Sequence, residues 1–280
     1  MSASIKKAMV LTAGLGTRLN PISQKLPKPL VSVLNVPNVL HVLFLLRKSG
    51  VKEVVMNLFH LSEKMESFFS NHRFFGLKYE FSHEDPILGP GGGVKNAEKF
   101  FTEPELILAN CDFVSNLDIK RYIEMHRSKK SKASMLLIQD ESKQHLYSKV
   151  GVDTDEYLVS LPKLKTRSAD QYGIFTGIHI LNSDVLDLLN NRPCGINDTL
   201  YPKMMKEFPN SVCGFMDKTA FWYDTGDLPV FLETSKKLLE RLQQRDPFIT
   251  ELFTAIELPH KEIKPGIWVE EGFSLSKSVQ

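Results

Sequence analysis

From Ala8 to Gln139 the chain alternates short apolar runs with segments patterned for helix, and this rhythm constrains the fold more than any other feature. Ala8–Thr12 is an apolar run closed by glycine, as a buried parallel strand reads. Val39–Lys48 is apolar on most sides, carries Arg47 and Lys48 in its last turn and stops at Gly50, the pattern of a helix with a C-terminal glycine. Val51–Leu58 reads as a second strand and Ser62–Phe69 as a helix capped by Ser62. Strands at Lys78–Ser82, Leu106–Ala109 and Ala133–Gln139 alternate with helices at Val94–Phe100 and Leu117–Lys129. The expectation is an α/β protein built on a doubly wound, mostly parallel sheet covered by helices, with ligands at the carboxyl ends of strands.

The second half is less regular. Val150–Val152, Leu158–Ser160 and Gly177–Leu181 read as strands, Asp184–Leu189 and Leu200–Phe208 as helical. Leu228–Arg245 reads as a long helix with Glu233 near Lys236 and Lys237 on neighbouring turns. Residues 263–280 follow another rule: apolar residues Ile263, Val269 and Leu275, and again Ile267, Phe273 and Val279, recur with a period of six. Such hexads stack into a β-helix. They would make a single coil, which cannot bury its own face, so either neighbouring surface covers it or the chain is the front of a longer protein. One or two strands with accidental spacing is the plainer alternative. The domain division expected is 1–245, with an extension over 246–280.

Composition excludes several classes. The chain has 280 residues, 42% hydrophobic and 24% charged, with a net charge of +2. These are values of an ordinary soluble protein, with no global field to draw nucleic acid or an anionic membrane. The basic cluster Arg127, Lys129, Lys130 and Lys132 reads as a solvated helix end. No apolar run approaches the ~20 residues needed to span a bilayer. Lys6 and Lys7 before AMVLTAGLG imitate a signal peptide, but the apolar part is short and runs into Arg18, so it reads as strand and loop. Cys111, Cys194 and Cys213 are widely spaced without a CxxC, which fits a reducing compartment and a cytoplasmic location. The histidines show no metal-ligand spacing.

The stretch Ala13–Pro29, AGLGTRLNPISQKLPKP, follows the first strand. Gly14 and Gly16 let backbone N–H groups close on an anion, with Ala13 and Thr17 in the same turn. It is not a Walker loop, which needs GxxxxGK[ST]. Nor is it the dinucleotide fingerprint, because Leu19 stands where the third glycine belongs and Asn20-Pro21 breaks the helix that should open there. Arg18 offers a guanidinium fork for phosphate oxygens, and Lys28 sits between Pro27 and Pro29, which stiffen its backbone. Each alone reads as a surface charge; together they form a cationic cradle on one strand end.

AGLGTR…PKP resembles the signature of the sugar-1-phosphate nucleotidylyltransferases, the family that makes dTDP-glucose, GDP-mannose and UDP-activated amino sugars. EDPILGPGGGVKNA (Glu84–Ala97) resembles the family's E-x-P-x-L-G-T-A-G-G segment, LANCD (Leu108–Asp112) its V-N-G-D, FTGIHIL (Phe175–Leu181) its sugar-pocket strand, and WYDTGDLPVFLE (Trp222–Glu233) its W-x-D-x-G-T segment. The resemblance covers about residues 5–235 in the family's order. It implies a Rossmann-like nucleotidyltransferase fold. The tail resembles the left-handed β-helix that some members append.

The implied reaction joins a nucleoside triphosphate and a sugar-1-phosphate, with Mg²⁺ as cofactor and no role for nucleic acid or membrane. Asp112, after the strand LILA, and Asp224, after FWY, are implied to hold the metal; a single Asp after a strand would otherwise read as a helix cap. Arg18 would hold the departing pyrophosphate and Lys28 the α-phosphate region. Ala13, Gly14, Gly16, Thr17, Gly89, Gly91 and Gly92 would meet the nucleotide, and Glu84 would face the base. Gly151, Thr176 and Gly177 match positions that contact the sugar phosphate. Asp227 and Asp118 read as helix-start residues. Two departures stand out. Cys111 replaces a glycine, and LPKLKTRS replaces the Glu-Lys-Pro that holds the sugar phosphate, leaving Lys163 and Lys165 as candidates. Competing readings are a non-catalytic regulatory relative that binds nucleotide sugar, and a dinucleotide-dependent oxidoreductase, disfavoured by the missing glycine. The tail leaves a homo-oligomer open.

Overall fold

The computed structural model describes residues 4–256 apart from 71, 141 and 144, and the backbone of 260–264 and 267–270. In chain order the elements are β1 (Lys7–Leu11), β2 (Ser32–Val33), β3 (Val36–Pro37), α1 (Asn38–Ser49), β4 (Glu53–Leu58), α2 (Ser62–Ser70), β5 (Lys78–His83), α3 (Gly89–Asn96), β6 (Glu105–Asn110), β7 (Phe113–Ser115), α4 (Ile119–Ser128) and β8 (Ala133–Ile138). The second half adds β9 (Lys149–Val152), β10 (Leu158–Leu161), β11 (Leu164–Lys165), β12 (Gln171–Asn182), α5 (Ile196–Glu207), β13 (Val212–Asp217), β14 (Trp222–Asp224), α6 (Leu228–Gln243), α7 (Pro247–Ala255), β15 (His260–Lys264) and β16 (Ile267–Glu270).

The central sheet runs β11-β10-β9-β12-β6-β1-β4-β5, with β8 and then β13 joined to β12. β6, β1, β4 and β5 are mutually parallel. β12 runs antiparallel to β6, β8 and β9, so the mostly parallel sheet expected is a mixed one. Its twelve residues exceed the expected Gly177–Leu181 because it pairs with β9 over Gln171–Ile174 before reaching β6. One core cluster packs α1 and α4 on one face of the sheet; the other packs α3 and α5 on the opposite face.

α1 is buried along nearly its whole length, which explains its lack of a polar face. It ends at Gly50, whose φ of 104° lets its N–H reach the carbonyls of Leu46 and Arg47. The helix expected at Val94–Phe100 instead occupies Gly89–Asn96, within the glycine-rich run. α7 buries Phe248, Ile249, Leu252 and Phe253 in the cluster that holds α1, with the Phe44 and Phe248 rings 5.3 Å apart. In the tail, β15 and β16 form an antiparallel hairpin, and a β-helix coil is not shown; the hexads over 271–280 lie outside the described residues. No helix among the described residues is long and apolar enough to cross a membrane.

Candidate active site

The carboxyl ends of β1 and β4 and the turn that follows β5 are tied together before any ligand is considered. The Thr12 N–H donates to Asn57 Oδ1 at 2.8 Å and the Thr12 hydroxyl donates to the Asn57 carbonyl at 2.5 Å. Asn57 Nδ2 donates to Glu84 Oε1 at 2.7 Å, and the Leu88 N–H donates to Glu84 Oε2 at 2.7 Å. A buried polar side chain must be partnered, and this relay meets that need while joining β1, β4 and the turn that leads into α3. Beyond Thr12 the chain turns outward. Gly14 has open space where a Cβ would stand, and Gly16, with φ +65°, sits 3.0 Å from the Lys28 Cβ at that position. The left-handed backbone there carries the exposed Thr17 and Arg18 around in a single tight turn.

The acidic residues arrive on paired strands. β7 and β14 run antiparallel with Asp224 opposite Phe113, and the Thr225 N–H donates to the Asp112 carbonyl at 2.9 Å. Lys28 Nζ donates to Asp112 Oδ2 at 2.5 Å. Gly226 closes the group. Its N–H donates to Asp224 Oδ1 at 2.6 Å, and a Cβ built on it would lie 2.8 Å from that oxygen, 3.2 Å from Arg18 Nη2 and 3.4 Å from Lys28 Nζ. Two carboxylates and two cations therefore surround one small space. Burial, and then the neighbouring Asp112 carboxylate, raise the Asp224 pKa above the usual carboxylate value. A divalent cation would relieve both effects. Among the described residues no group of three or more His, Cys, Asp or Glu could hold a metal alone. A pair of carboxylates suits Mg²⁺, which keeps open positions for phosphate oxygens and water.

A cavity of about 270 Å³ opens beside this cluster, lined by Ala13, Gly14, Lys28, Asn57, Gly89, Asn110, Cys111 and Asp112 among others. Cys111, the departure from glycine, is buried at its floor, and burial pushes the thiol up to about 12. A second cavity of about 530 Å³ lies between the β10–β11 hairpin and α5, with Tyr147, Lys163, Phe175 and Asp198 in its walls.

The family model described as Nucleotidyl transferase matches residues 7–241. The chain belongs to this family. Among curated relatives, UTP–glucose-1-phosphate uridylyltransferase of Synechocystis sp. is 28% identical over 94% of this chain and 68% of its own length. Mannose-1-phosphate guanyltransferase 2 of Candida glabrata is 30% identical over 86% of this chain and 67% of its own. Several solved structures share the fold. HddC from Yersinia pseudotuberculosis complexed with GMP-PN has a TM-score of 0.70 at 23% identity, covering 83% of this chain and 99% of that one. UDP-glucose pyrophosphorylase from Acinetobacter baumanii has 0.70 at 19%, covering 89% and 98%.

Other expected site residues of this nucleotidyl transferase fall into two groups. Ala13, Gly14, Gly89, Lys28 and Asp112 line the smaller cavity, and Lys163 lines the larger one, where it pairs with Asp198 at 3.2 Å. Lys165 is exposed on β11. Glu84, expected to face the base, is 5% exposed, and its two oxygens accept from Asn57 Nδ2 and the Leu88 N–H. The bare faces of Gly89, Gly91 and Gly92 press on the Arg192–Cys194 segment, where a Cβ would come within 2.9, 2.7 and 2.3 Å of its atoms, so their lack of side chains lets the run pack closely there. Gly151 likewise meets Ala169, Ser160 and Tyr172. The Thr176 hydroxyl is used, donating to the Leu136 carbonyl at 2.8 Å. Gly177 lies against Asn110 at the end of β6. Asp227 and Asp118 cap α6 and α4. Asn57 and Tyr147 were missed; a lone Asn ending the apolar run VVMNL was the available signal for the first.

Proposed function

We propose that this nucleotidyl transferase joins a nucleoside triphosphate to a sugar-1-phosphate and releases pyrophosphate, with Mg²⁺ as its cofactor. A sugar-1-phosphate oxygen forms the new bond to the α-phosphorus, the bond to the β-phosphate oxygen breaks, and pyrophosphate carries away the electron pair. Little covalent work falls to the protein in such a transfer, which is governed by positioning and charge. Asp112 and Asp224 would hold the cation, which when bound neutralises phosphate charge. Lys28 presents its ammonium at the α-phosphate region beside Asp112, and Arg18, exposed on the Thr17–Leu19 turn, meets the departing pyrophosphate. Ala13, Gly14, Gly16 and Thr17 offer backbone to the triphosphate. Lys163 and Lys165 are the candidate partners of the sugar phosphate, alongside Gly151, Thr176 and Gly177. The observation that carries this reading is the convergence of Arg18, Lys28 and Asp224 on Gly226, with Asp112 bonded to Lys28.

The catalytic unit on this reading is 1–245. The free cysteines suit a cytoplasmic setting. The relatives named above include uridylyl and guanylyl enzymes, so the test is a matrix of the common triphosphates against a panel of sugar-1-phosphates, read as pyrophosphate release with and without Mg²⁺. Turnover of at least one pair, dependent on the cation, is expected. Tight nucleotide-sugar binding with no turnover of any pair would overturn catalysis in favour of a regulatory relative.

A further inference from the structure

The two carboxylates of the cluster are held in different ways. Asp112 has a cation against it, the Lys28 ammonium at 2.5 Å. Asp224 has a neutral donor: its Oδ1 takes the Gly226 N–H, and its Oδ2 takes the Tyr147 hydroxyl at 3.2 Å. Tyr147 lies on the segment between β8 and β9, far from both motifs, yet it is firmly seated. Its ring meets Trp222 edge-on at 5.3 Å, and Trp222 is itself buried and donates from Nε1 to the Thr176 carbonyl at 2.9 Å. Lys143, on the same segment, donates to the Trp222 carbonyl at 2.7 Å. The segment is thus pinned at two points to the strand that carries Asp224.

A second ammonium at Asp224 would neutralise the charge that attracts a divalent cation. A phenol fixes the carboxylate while leaving its charge in place, and hydrogen bonds of this kind to ligating carboxylates set both orientation and affinity. We propose that Tyr147 is a positioning residue of the cation centre: its hydroxyl holds Asp224 Oδ2 and so sets the direction from which Asp224 meets the metal. Tyr147 also walls the 530 Å³ cavity, so the same ring borders the centre on one side and that cavity on the other. The inference rests on the reading of Asp112 and Asp224 as metal ligands.

The test uses Mn²⁺ alone, titrated into the full chain and followed by electron paramagnetic resonance of the free ion, for the wild type, Tyr147→Phe and Asp224→Asn. Tyr147→Phe keeps the ring on Trp222 and removes only the hydroxyl. It is expected to weaken Mn²⁺ binding about tenfold or more. The cation concentration giving half-maximal activity should rise in parallel, and excess cation should restore the rate. Asp224→Asn is expected to lose the bound ion. Mn²⁺ affinity of Tyr147→Phe within about twofold of wild type, where loss of a hydrogen bond that orients a ligand costs about ten- to a hundredfold, with binding lost in Asp224→Asn, overturns the role of Tyr147 and leaves the carboxylate pair standing. Binding unchanged in Asp224→Asn overturns both.

Discussion

A Cβ on Gly226 would stand 2.8 Å from Asp224 Oδ1 and close to the ends of Arg18 and Lys28. Gly226→Ala therefore displaces the carboxylate without touching the core. Misplacement of a reacting group by about 1 Å can cost a hundredfold, so a rate loss of roughly ten- to a hundredfold, with little change in thermal midpoint, is expected. A midpoint that falls while the residual rate per folded molecule stays normal would contradict this. Asp112→Asn removes charge instead of space. On the proposed reading it lowers pyrophosphate release about a hundredfold or more, and a near-normal rate would rule out the metal assignment. Asp112 and Asp224 were legible through LANCD and WYDTGD, which resemble the family's motifs, since a single Asp after a strand would otherwise read as a helix cap. Tyr147 was not legible, because its partner Asp224 is 77 positions away and nothing in the local pattern announces the pairing. The partners of Glu84 were hidden for the same reason: only the fold reveals Asn57 and Leu88 beside its carboxylate.

Among elements, the ends of β1 and β4 and the turn before α3 share the relay through Asn57. Asn57→Ala leaves the Thr12 N–H and Glu84 Oε1 without their buried partner. A group left so costs about 1–3 kcal/mol, to be read as a lower urea midpoint. Because Asn57 also lines the smaller cavity, an increased KM for the triphosphate is expected with it. Unchanged stability would show that water replaces the amide at no cost. α3 illustrates where pattern reading fails at this scale. Glycine is a poor helix former, so GPGGGVKN gave no helical signal and the helix was placed too late. The missing side chains are what let α3 approach the Arg192–Cys194 segment, a tertiary cause that local propensity does not contain.

For the molecule as a whole, burial makes acid sensitivity a property of the core. His41 and His179 are fully buried, and loss of hydration lowers their pKa values from 6.5 to about 4 and about 3; burial also lowers that of His126. The unfolded chain then binds more protons below pH 6.5, so these histidines stabilise the fold above that value and the contribution drains away as pH falls toward 4. For His41 the loss is about 3 kcal/mol. Urea denaturation at steps across this window should show a steady decline, and a flat profile would refute it. β1, β4 and β6 were readable because the middle of each strand is apolar and buried. The rest was not, since an antiparallel neighbour leaves the same apolar signature as a parallel one. β12 is the clearest instance and has the widest consequence. A single continuous strand, irregular between Phe175 and His179 where Gly177 has a φ of 90°, is bonded to β6, which leads to Asp112, and to β9, which carries Gly151, so the two proposed substrate regions hang on one shared spar. They cannot swing apart like jaws. Any opening that admits a sugar or releases a product has to be made by the connecting loops at its margins, and changes in those loops should tune turnover while the distance between the two regions stays fixed.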